Sequence, residues 1–331
     1  MSSPSRVVIT GANGFIGRHL TAAQLALGRH VVAVDQKVNN LDDIRHDPML
    51  TIIEADICDS AAMSRAVDGA DIVFHLAAAH LEVTAAESHY RAVNVDALAS
   101  LLRLSQEAGV QRFVHCSTVG VYGPLDVLPA DETSPCNPDI AYEMTKLDGE
   151  DLVRKTADEG NLWTIIIRPS WVYGPGCPRT LKLLRSIAHK KFFFVGRAEN
   201  LRHPLYIDDL LQAFEHAATY RLSAGDTFII AGPEAISVRK LVQVASKALG
   251  VQYNPITVPK ALVALGCMIV EKTFTTFGRQ PPFSSRSMKF FTESSAFSTT
   301  KAKNELGFEA NTALSDGLLS TISTLSQKGL L

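Results

Sequence analysis

Tyr142 and Lys146 stand four residues apart in the segment AYEMTKLDGEDLVRK, whose pattern predicts a helix. Side chains at i and i+4 lie on the same face of a helix, so the phenol and the ammonium are expected to be neighbours. A free phenol, with a pKa of about 10, is a poor base at neutral pH, but a nearby ammonium favours the phenolate. The pair therefore has the composition of a general acid/base and a partner that lowers its pKa.

Two hydroxyl side chains follow a short apolar run in the segment RFVHCSTVGVYG. The run predicts a buried strand that ends at Ser117 and Thr118, just before a glycine-containing loop. A hydroxyl at this position can hold the oxygen of an alcohol or ketone while Tyr142 moves the proton.

Three glycines follow the first apolar run, in the sequence VVITGANGFIGRHL. Gly11 permits a tight turn, Gly14 lets the backbone approach a pyrophosphate, and Gly17 lets the next helix pack closely on the strand. The amides at the start of that helix then face the anion. This unit predicts dinucleotide binding, so Tyr142 is expected to move a proton while a nicotinamide moves a hydride.

Acidic residues end the second and third apolar runs. Asp35 ends the second run. A carboxylate there accepts hydrogen bonds from ribose hydroxyls and repels a 2′-phosphate, which favours NAD over NADP. Asp56, followed by Ile57, ends the third run, and it is interpreted either as bordering the adenine pocket or as an ordinary turn carboxylate.

The elements that position these residues alternate along the first half of the chain. Helix-length segments lie between the apolar runs, and several end in glycine, as helices often do. Continuous apolar strands suit a sheet buried on both faces, so the βαβ alternation predicts a doubly wound, Rossmann-type parallel sheet of the α/β class. The predicted strands are 6–10, 30–35, 50–56, 71–78, 112–118, 163–169 and, as a late return to the sheet, 226–232.

This rhythm breaks after about residue 175, where prolines and glycines interrupt the pattern. We therefore predict an NAD-binding domain over residues 1–175, with a returning segment near 203–232. The segments 176–202 and 233–331 are predicted to form a smaller, discontinuous substrate-binding domain beside the sheet.

The bulk composition argues against several classes of protein. Apolar residues make up 46% and charged residues 20% of the chain, as in ordinary globular proteins. The net charge of −2 gives no support for a nucleic-acid partner. The five cysteines are scattered, and the N-terminus lacks a signal-peptide pattern, so a cytoplasmic protein with reduced thiols is expected. No metal site is predicted.

One apolar run, ALVALGCMIV at 261–270, bears on membranes. It is far shorter than the roughly 20 residues that span a bilayer. We therefore predict a buried helix of the second half and no integral membrane segment; contact of this helix with a membrane surface is the less favoured interpretation.

Together these motifs resemble those of the extended short-chain dehydrogenase/reductase superfamily. The matching pieces follow the order typical of that superfamily and cover most of the first 230 residues. They are TGANGFIG, Asp35, Asp56 with Ile57, HLAA (75–78), Asn94 in AVNVDA, STVGVYG, the Tyr142–Lys146 pair, RPSWVYGPG (168–176) and HPLYIDDL (203–210).

The resemblance implies a role for each matched residue. It implies that Tyr142 is the general acid/base, that Lys146 lowers its pKa, and that Thr118 orients the substrate oxygen. It also implies NAD over the carboxyl edge of the sheet and a homodimer formed through the long helices near 90–108 and 141–159. Besides the three glycines and Asp35, the residues implied to contact NAD are Asn13, Phe15, Ile16, Asp56, Ile57, Leu76, Ala77, Ala78, Asn94, Ser117, Tyr142, Lys146, Arg168 and Pro169.

Two branches of the superfamily differ in their small-molecule substrate. Nucleotide-sugar epimerases and dehydratases usually carry Asn at the position of Trp171, but Arg202 matches a diphosphate-binding arginine of the same branch. The tail RQPPFSSRSMKFFTESSAFSTTKAKNELGFEANTALSDGL resembles that of 3β-hydroxysteroid dehydrogenase-like proteins. The predicted substrate residues are His80, Thr118, Trp171, Arg202 and Tyr206, with the run of phenylalanines at 192–194.

We therefore expect an NAD-dependent oxidoreductase that acts on a secondary alcohol/ketone pair, similar to 3β-hydroxysteroid dehydrogenases. The alternative is a nucleotide-sugar epimerase or dehydratase with tightly held NAD, in which the hydride is taken and returned within one turnover. A third interpretation is a non-catalytic NAD(P)-binding regulator. Such members of the superfamily typically lack the tyrosine or the lysine, and both are present here.

Overall fold

The structure is a computed structural model that describes residues 6–80, 86–276 and 285–331. The Pro-rich start of the tail that resembles 3β-hydroxysteroid dehydrogenases, RQPPF at 279–283, lies outside these ranges. The strands are β1 (Arg6–Thr10), β2 (His30–Asp35), β3 (Leu50–Glu54), β4 (Ile72–His75), β5 (Arg112–Cys116), β6 (Trp163–Pro169), β7 (Trp171–Tyr173), β8 (Phe194–Val195), β9 (Leu201–Arg202), β10 (Pro204–Tyr206), β11 (Thr227–Ile230), β12 (Ile236–Ser237) and β13 (Thr257–Val258).

Helices connect these strands along the described chain. They are α1 (Phe15–Ala26), α2 (Ser60–Val67), α3 (Glu87–Arg91), α4 (Ala97–Glu107), α5 (Ala141–Asp158), α6 (Pro178–Ala188), α7 (Ile207–Thr219), α8 (Val238–Ala248), α9 (Lys260–Thr276), α10 (Ser285–Thr292) and α11 (Leu314–Gln327). A π-helical turn, Ala92–Asp96, joins α3 to α4. Short 3₁₀ turns lie at Asn39–Leu41 and Val119–Tyr122, and a second π turn lies at Ala302–Leu306.

The centre of the molecule is a seven-stranded sheet in the order β11-β6-β5-β4-β1-β2-β3. Every pairing in it is parallel. The order reverses between β1 and β4, which is the switch point at which doubly wound sheets bind ligands. The predicted α/β class and the late return of β11 to the sheet are therefore confirmed.

Both faces of the sheet are covered, which explains why its strands are apolar throughout. Alternate residues of β1 enter different cores: Val7 packs with Leu20 of α1 and Phe214 of α7, whereas Val8 packs with Met63 of α2. The first core continues into α6, α8 and α11, and the second into α4 and α5. The sheet is thus a rigid support for whatever its strand ends carry.

The strands leave the sheet earlier than the apolar runs predict. The runs 50–56, 71–78, 112–118 and 226–232 form strands only over Leu50–Glu54, Ile72–His75, Arg112–Cys116 and Thr227–Ile230. The remaining residues of the first three runs turn away at the carboxyl edge. All of these residues except Asp56 line a cavity at that edge, where loops leave side chains and backbone amides free of sheet pairing.

The chain after β6 also forms α6, α8–α11 and three two-stranded pairs, β7–β10, β8–β13 and β9–β12. The segment from β10 through α7 to β11 returns to the main sheet. The division into an NAD-binding domain and a substrate domain, with the boundaries given above, stays a prediction.

The prediction that the run 261–270 is buried is wrong for most of its described side chains. The run lies in α9, where Leu262, Leu265 and Met268 are 60%, 51% and 59% exposed, and Cys267 is buried. The helix contacts the short helix α10. No helix of the described residues is long and apolar enough to cross a membrane.

Candidate active site at the carboxyl edge of the sheet

A cavity of about 600 Å³ opens at the carboxyl edge of the sheet. The carboxyl ends of parallel strands meet at one edge, so motifs that are distant in sequence converge there. The predicted residues that line the cavity are Gly11, Gly14, Phe15, Ile16, Gly17, Asp35, Ile57, Leu76, Ala77, Ala78, His80, Ser117, Thr118, Tyr142, Lys146 and Pro169.

The glycine loop shapes one wall of this cavity. Gly11 has a φ of 71°, and a Cβ added there would lie 2.7 Å from the amide nitrogen of Ala77. A Cβ at Gly17 would lie 2.1 Å from the Gly11 carbonyl oxygen. Gly14 stands at the N-cap of α1 and offers no side-chain acceptor, so the first amides of that helix remain available to an anion.

Asp35 extends into the same cavity from the end of β2. Its carboxylate accepts hydrogen bonds from the backbone amides of Asn13 (3.0 Å) and Lys37 (3.3 Å). The Asn13 side-chain oxygen accepts from the Asn40 amide at 2.7 Å, and Asn13 does not line the cavity. Asp56 also lies outside the lining; its carboxylate accepts from the Gln36 amide group at 2.7 Å.

Tyr142 lies in the first turn of α5, where its ring packs edge-to-face on His80 with centroids 4.7 Å apart. Burial raises the pKa of the Tyr142 phenol, Cys116 and Glu143 add to the increase, and Arg179 opposes it. The phenol is therefore protonated at neutral pH. Lys146 is not among the groups that shift this pKa, and its assignment as the partner that lowers it stays a prediction.

Lys146 is buried one helical turn beyond Tyr142. Its Nζ donates to the Cys116 carbonyl oxygen at 2.7 Å and to His115 Nε2 at 3.2 Å. Burial lowers the pKa of Lys146 to about 8, against smaller raising effects of Cys116 and Glu150. Lys146 is therefore mostly a cation at neutral pH, and its described contacts are with neutral groups.

The two hydroxyls after β5 have different partners. Ser117 donates to Glu150 Oε1 at 2.5 Å, so its proton is committed to the protein. Thr118 Oγ1 accepts from the Gly120 amide at 3.0 Å, as the N-cap of the turn Val119–Tyr122. Among the described residues the Thr118 proton has no acceptor, which leaves it able to donate to a substrate oxygen.

Arg168 lies behind the cavity and does not line it. Its Nε and Nη2 donate to Glu150 at 2.9 and 2.6 Å, and its Nη1 donates to the Tyr122 hydroxyl at 2.7 Å. Burial alone would raise the pKa of Glu150, but the hydrogen bonds and charge of Arg168 outweigh it and the pKa is lowered. Arg168 and Glu150 therefore form a buried ion pair that supports Ser117.

Asn94 is buried in the π turn and does not line the cavity either. Its side chain bonds both backbone groups of Ala79, with the Ala79 amide at 2.8 Å and the Ala79 carbonyl at 3.2 Å. It also donates to Thr145 Oγ1 at 3.0 Å. Asn94 thus ties the loop after β4 to the turn of α5 that carries Tyr142 and Lys146.

Three of the predicted substrate residues lie outside the cavity lining. The Arg202 guanidinium donates to the carbonyls of Phe290 (3.1 Å) and Lys289 (2.6 Å) near the end of α10, and it stacks on the Phe290 ring at 4.7 Å. Trp171 also packs on Phe290, with ring centroids 5.8 Å apart. Tyr206 donates to Ser320 at 3.0 Å, and the buried Phe192 and Phe194 belong to the core.

The structure adds lining residues that sequence reasoning missed. Ser170 lines the cavity, and its buried hydroxyl has no hydrogen-bond partner among the described residues. Arg179 lines it from the start of α6, exposed and close enough to affect Tyr142. Ser170 follows Pro169 in a recognised motif, which is a usable signal, whereas Arg179 follows a loop whose direction the sequence does not reveal. The other additions are Thr10, Val34, Gln36, Ala55, Ala79, His89, Val93, Cys116 and Val172.

The motifs of this cavity are shared with a known family. Residues 7–231 match the model of the NAD dependent epimerase/dehydratase family, which is more than half of the chain. The chain belongs to this family. It is an NAD-dependent enzyme of the extended short-chain dehydrogenase/reductase superfamily, as its motifs predicted, and NAD is its cofactor.

Relatives of the chain act on different substrates. It is 26% identical to 3beta-hydroxysteroid-dehydrogenase/decarboxylase isoform 2 of Arabidopsis thaliana, over 96% of this chain and 62% of the relative, so it spans less than two thirds of that protein. It is 28% identical to an N-acetylglucosaminyl-diphospho-undecaprenol 4-epimerase of Escherichia coli O157:H7, over 96% of this chain and 94% of the relative.

Among solved structures, the fold is similar to that of UDP-glucuronic acid 4-epimerase from Bacillus cereus in complex with NAD. The TM-score is 0.79 and the identity is 23%, with 98% of this chain and 99% of the other covered. At this identity the likeness concerns the fold.

The described residues fit NAD. A Cβ at Gly11 or Gly17 would collide with neighbouring backbone, so these glycines keep the turn between β1 and α1 tight, as a pyrophosphate-binding loop requires. The uncapped start of α1 presents amides to that anion, and Asp35 presents a carboxylate to a ribose. The glycine loop and Asp35 would hold the adenosine diphosphate part, and Lys146 and Ser170 offer polar groups deeper in the cavity.

Proposed function

We propose that the protein is a dehydrogenase that interconverts a secondary alcohol and a ketone on an apolar ring system, in the manner of 3β-hydroxysteroid dehydrogenases. The main support for this proposal is that Arg202 and Trp171 both contact Phe290 of the protein itself. Arg202 is the residue that matched the diphosphate-binding arginine of the nucleotide-sugar branch. With its donors held by α10, a diphosphate has no cation at that position.

The proposed chemistry divides among three side chains. NAD, when bound, supplies the carrier that accepts or returns the hydride. Tyr142 exchanges the hydroxyl proton, and Thr118 donates a hydrogen bond to the same oxygen. Because burial keeps the phenol protonated, this arrangement suits reduction, in which Tyr142 gives its proton to the developing alkoxide. The Lys146 cation stabilises the phenolate that remains.

The test is a set of secondary alcohols, with 3β-hydroxysteroids first, incubated with NAD⁺ while NADH formation is followed by absorbance. Oxidation of a 3β-hydroxysteroid by the purified protein, and its loss in Tyr142→Phe, is the expected result. Tyr220→Phe is the matched control, because Tyr220 lies outside the cavity and bonds Asp226. No oxidation of any apolar alcohol by a protein that binds NAD⁺ would contradict the proposal.

A nucleotide-sugar epimerase or dehydratase is the second candidate, and Arg179 favours it. This exposed cation lines the cavity near Tyr142 and has no ion pair among the described residues, so it suits an anionic substrate. NAD released from the denatured protein as purified separates the candidates. Nearly one nucleotide per chain would indicate a recycled cofactor and the second candidate, whereas reversible binding would favour the dehydrogenase.

We further propose a homodimer formed through α4 and α5. Met144 of α5 is 45% exposed, which suits a residue that a second subunit covers. Light scattering should give the mass of a dimer for the natural chain and a lower mass for Met144→Glu. A monomeric natural chain would contradict this assignment. The cytoplasmic location stays a prediction, and a non-catalytic NAD(P)-binding role would require Tyr142→Phe to keep full cellular function.

A further inference from the structure

His115 is a fully buried imidazole in β5, between Val114 and Cys116. Its Nε2 lies 3.2 Å from Lys146 Nζ, and its ring stacks on that of His75 with centroids 5.4 Å apart. The other nitrogen, Nδ1, is buried and has no hydrogen-bond partner within the described ranges. The fold therefore accepts an unsatisfied polar atom in order to keep this imidazole, although Phe113 and Val114 beside it show that apolar side chains fit the strand.

The chemistry of the ammonium determines which tautomer His115 adopts. A lysine ammonium has three N–H donors and no acceptor. Its contact with His115 is a hydrogen bond only if Nε2 is the acceptor, so the ring proton must lie on Nδ1. The Cys116 carbonyl holds a second donor of Lys146 at 2.7 Å. One N–H is then left for a group in the cavity, which Lys146 lines.

We propose that His115 is a positioning residue for Lys146, and that its neutral, Nδ1-protonated ring holds the ammonium in place without cancelling its charge. This inference rests on the proposed function, because it takes Lys146 as the cation that serves Tyr142. A carboxylate at this position would hold the ammonium equally well but would form an ion pair, as Glu150 does with Arg168. An imidazole supplies the acceptor and leaves the positive charge to act on the cavity.

The surroundings keep the ring neutral. Burial lowers the pKa of His115 well below its usual value, and the cations Lys146 and Arg154 of α5 and the neighbouring His75 of β4 lower it further. On β5 itself, Cys116 is half-buried and desolvation raises the pKa of its thiol, so it presents no negative charge. A protonated ring would both lose its acceptor atom and repel Lys146. The acceptor therefore persists through the physiological pH range.

The first test is spectroscopic and needs no substrate. The full-length protein is labelled with ¹⁵N in its histidine rings, and the His115 signals are identified by their loss in His115→Gln. The expected result is a neutral ring protonated at Nδ1 at neutral pH, with an Nε2 signal that shifts in Lys146→Met because the hydrogen bond is lost. A ring protonated at Nε2, or an Nε2 signal indifferent to Lys146→Met, would overturn the proposal.

The second test compares two variants in turnover of the alcohol that the substrate set identifies. His115→Leu removes the acceptor and should lower kcat by roughly 10- to 100-fold, the range expected for a lost hydrogen bond to a charged group. His115→Gln keeps a side-chain carbonyl and should stay within a few-fold of the natural enzyme. Equal losses in the two folded variants would show that the ring only fills space. The spectroscopic test decides the proposal even if no steroid is oxidised, so its failure is distinct from failure of the proposed function.

Discussion

Two buried cations lie at the cavity: Lys146 lines it and Arg168 lies behind it, and they differ in the groups that surround them. Lys146 donates to an imidazole and to a backbone carbonyl, and it contacts no carboxylate among the described residues. Arg168 donates twice to Glu150, which also receives hydrogen bonds from Ser117 and Arg154. Lys146 and Glu150 are a single turn apart on α5. The same helix therefore carries one of the two cations, Lys146, and the counterion of the other, Arg168.

Burying a cation without a counterion is costly, and proteins usually pair it or neutralise it. The lowered pKa of Lys146 records this cost, whereas Arg168 is stabilised as a cation and its pKa is raised despite burial. An unpaired buried charge acts strongly on its neighbours, which is useful beside a reacting group. Lys146, the unpaired cation, is therefore suited to a chemical role, whereas Arg168, the paired cation, is suited to stabilising the fold.

The largest effect is expected from breaking the paired cation. Glu150→Ala leaves Arg168 buried without its counterion and should lower the free energy of unfolding by roughly 3–5 kcal/mol, measured by urea denaturation. Glu107→Ala, which removes an exposed pair with Arg103, is the matched control and should cost less than about 1 kcal/mol. The double variant Glu150→Leu/Arg168→Met should recover much of the loss. A Glu150→Ala protein as stable as the control would remove the supporting role.

Removing the unpaired cation should have the opposite profile. Lys146→Met keeps the length of the side chain and removes its charge, so turnover should fall by at least about 10²-fold, because the Tyr142 phenolate loses its stabilising partner. The free energy of unfolding should stay the same or rise, since a desolvated charge has gone. Activity and urea denaturation measured on one preparation check both statements. A strongly destabilised Lys146→Met protein would show that Lys146, like Arg168, supports the fold.

Acid should reveal the histidines beside the unpaired cation. Burial and Lys146 lower the pKa of His75 to about 3, and they also lower that of His115. Below about pH 6.5 the unfolded chain binds protons that the folded chain refuses, so stability is complete above that pH and falls as the pH drops.

The expected slope is about 1.4 kcal/mol per pH unit for each histidine. Urea denaturation between pH 7 and pH 5 measures it. His115→Gln should remove one histidine's share, while His46→Gln, an exposed loop variant, should leave the slope unchanged. A slope that His115→Gln does not alter would place the ring in a less buried environment than described.

The smallest effect concerns an anion that is held, like Lys146, by neutral groups. Asp35 accepts from two backbone amides and lines the cavity. Asp35→Ala should relax the preference for NAD over NADP by roughly tenfold, because a charge that repels the 2′-phosphate is lost. Dissociation constants for both nucleotides measure the change, and Asp47→Ala, on a loop outside the cavity lining, is the control. Unchanged discrimination would remove Asp35 from the ribose site.

The residues that the sequence placed well follow strands of one parallel sheet. Gly11, Asp35, Thr118 and Pro169 converge on the cavity because the edge at which a parallel strand ends is a matter of topology alone. The short apolar runs and the glycine loop therefore predicted both the fold and the cofactor.

For other residues the sequence did not predict the position of the side chain, because that position depends on tertiary packing. The sequence around Arg202 is compatible with a guanidinium that binds a substrate and with one that binds the carbonyls of α10. The position of α10 in the fold determines which of the two occurs. The contact of Lys146 with His115 likewise depends on a rotamer inside the core. Arg179 reaches the cavity because α6 begins at Pro178, and nothing in its neighbours along the chain indicates that direction.

The π turn at Ala92–Asp96 has a consequence for insertions and deletions in this part of the chain. A π turn holds one residue more than an α turn, and this extra residue corresponds to about 100° of rotation in a regular helix. If one residue of the turn were lost, α3 and α4 could join as a continuous regular helix with the buried face of α4 unchanged. Asn94, however, would rotate away from Ala79 and Thr145. The length of this turn is therefore constrained together with the identity of Asn94, and natural variation in length should fall outside the segment from α3 to α4.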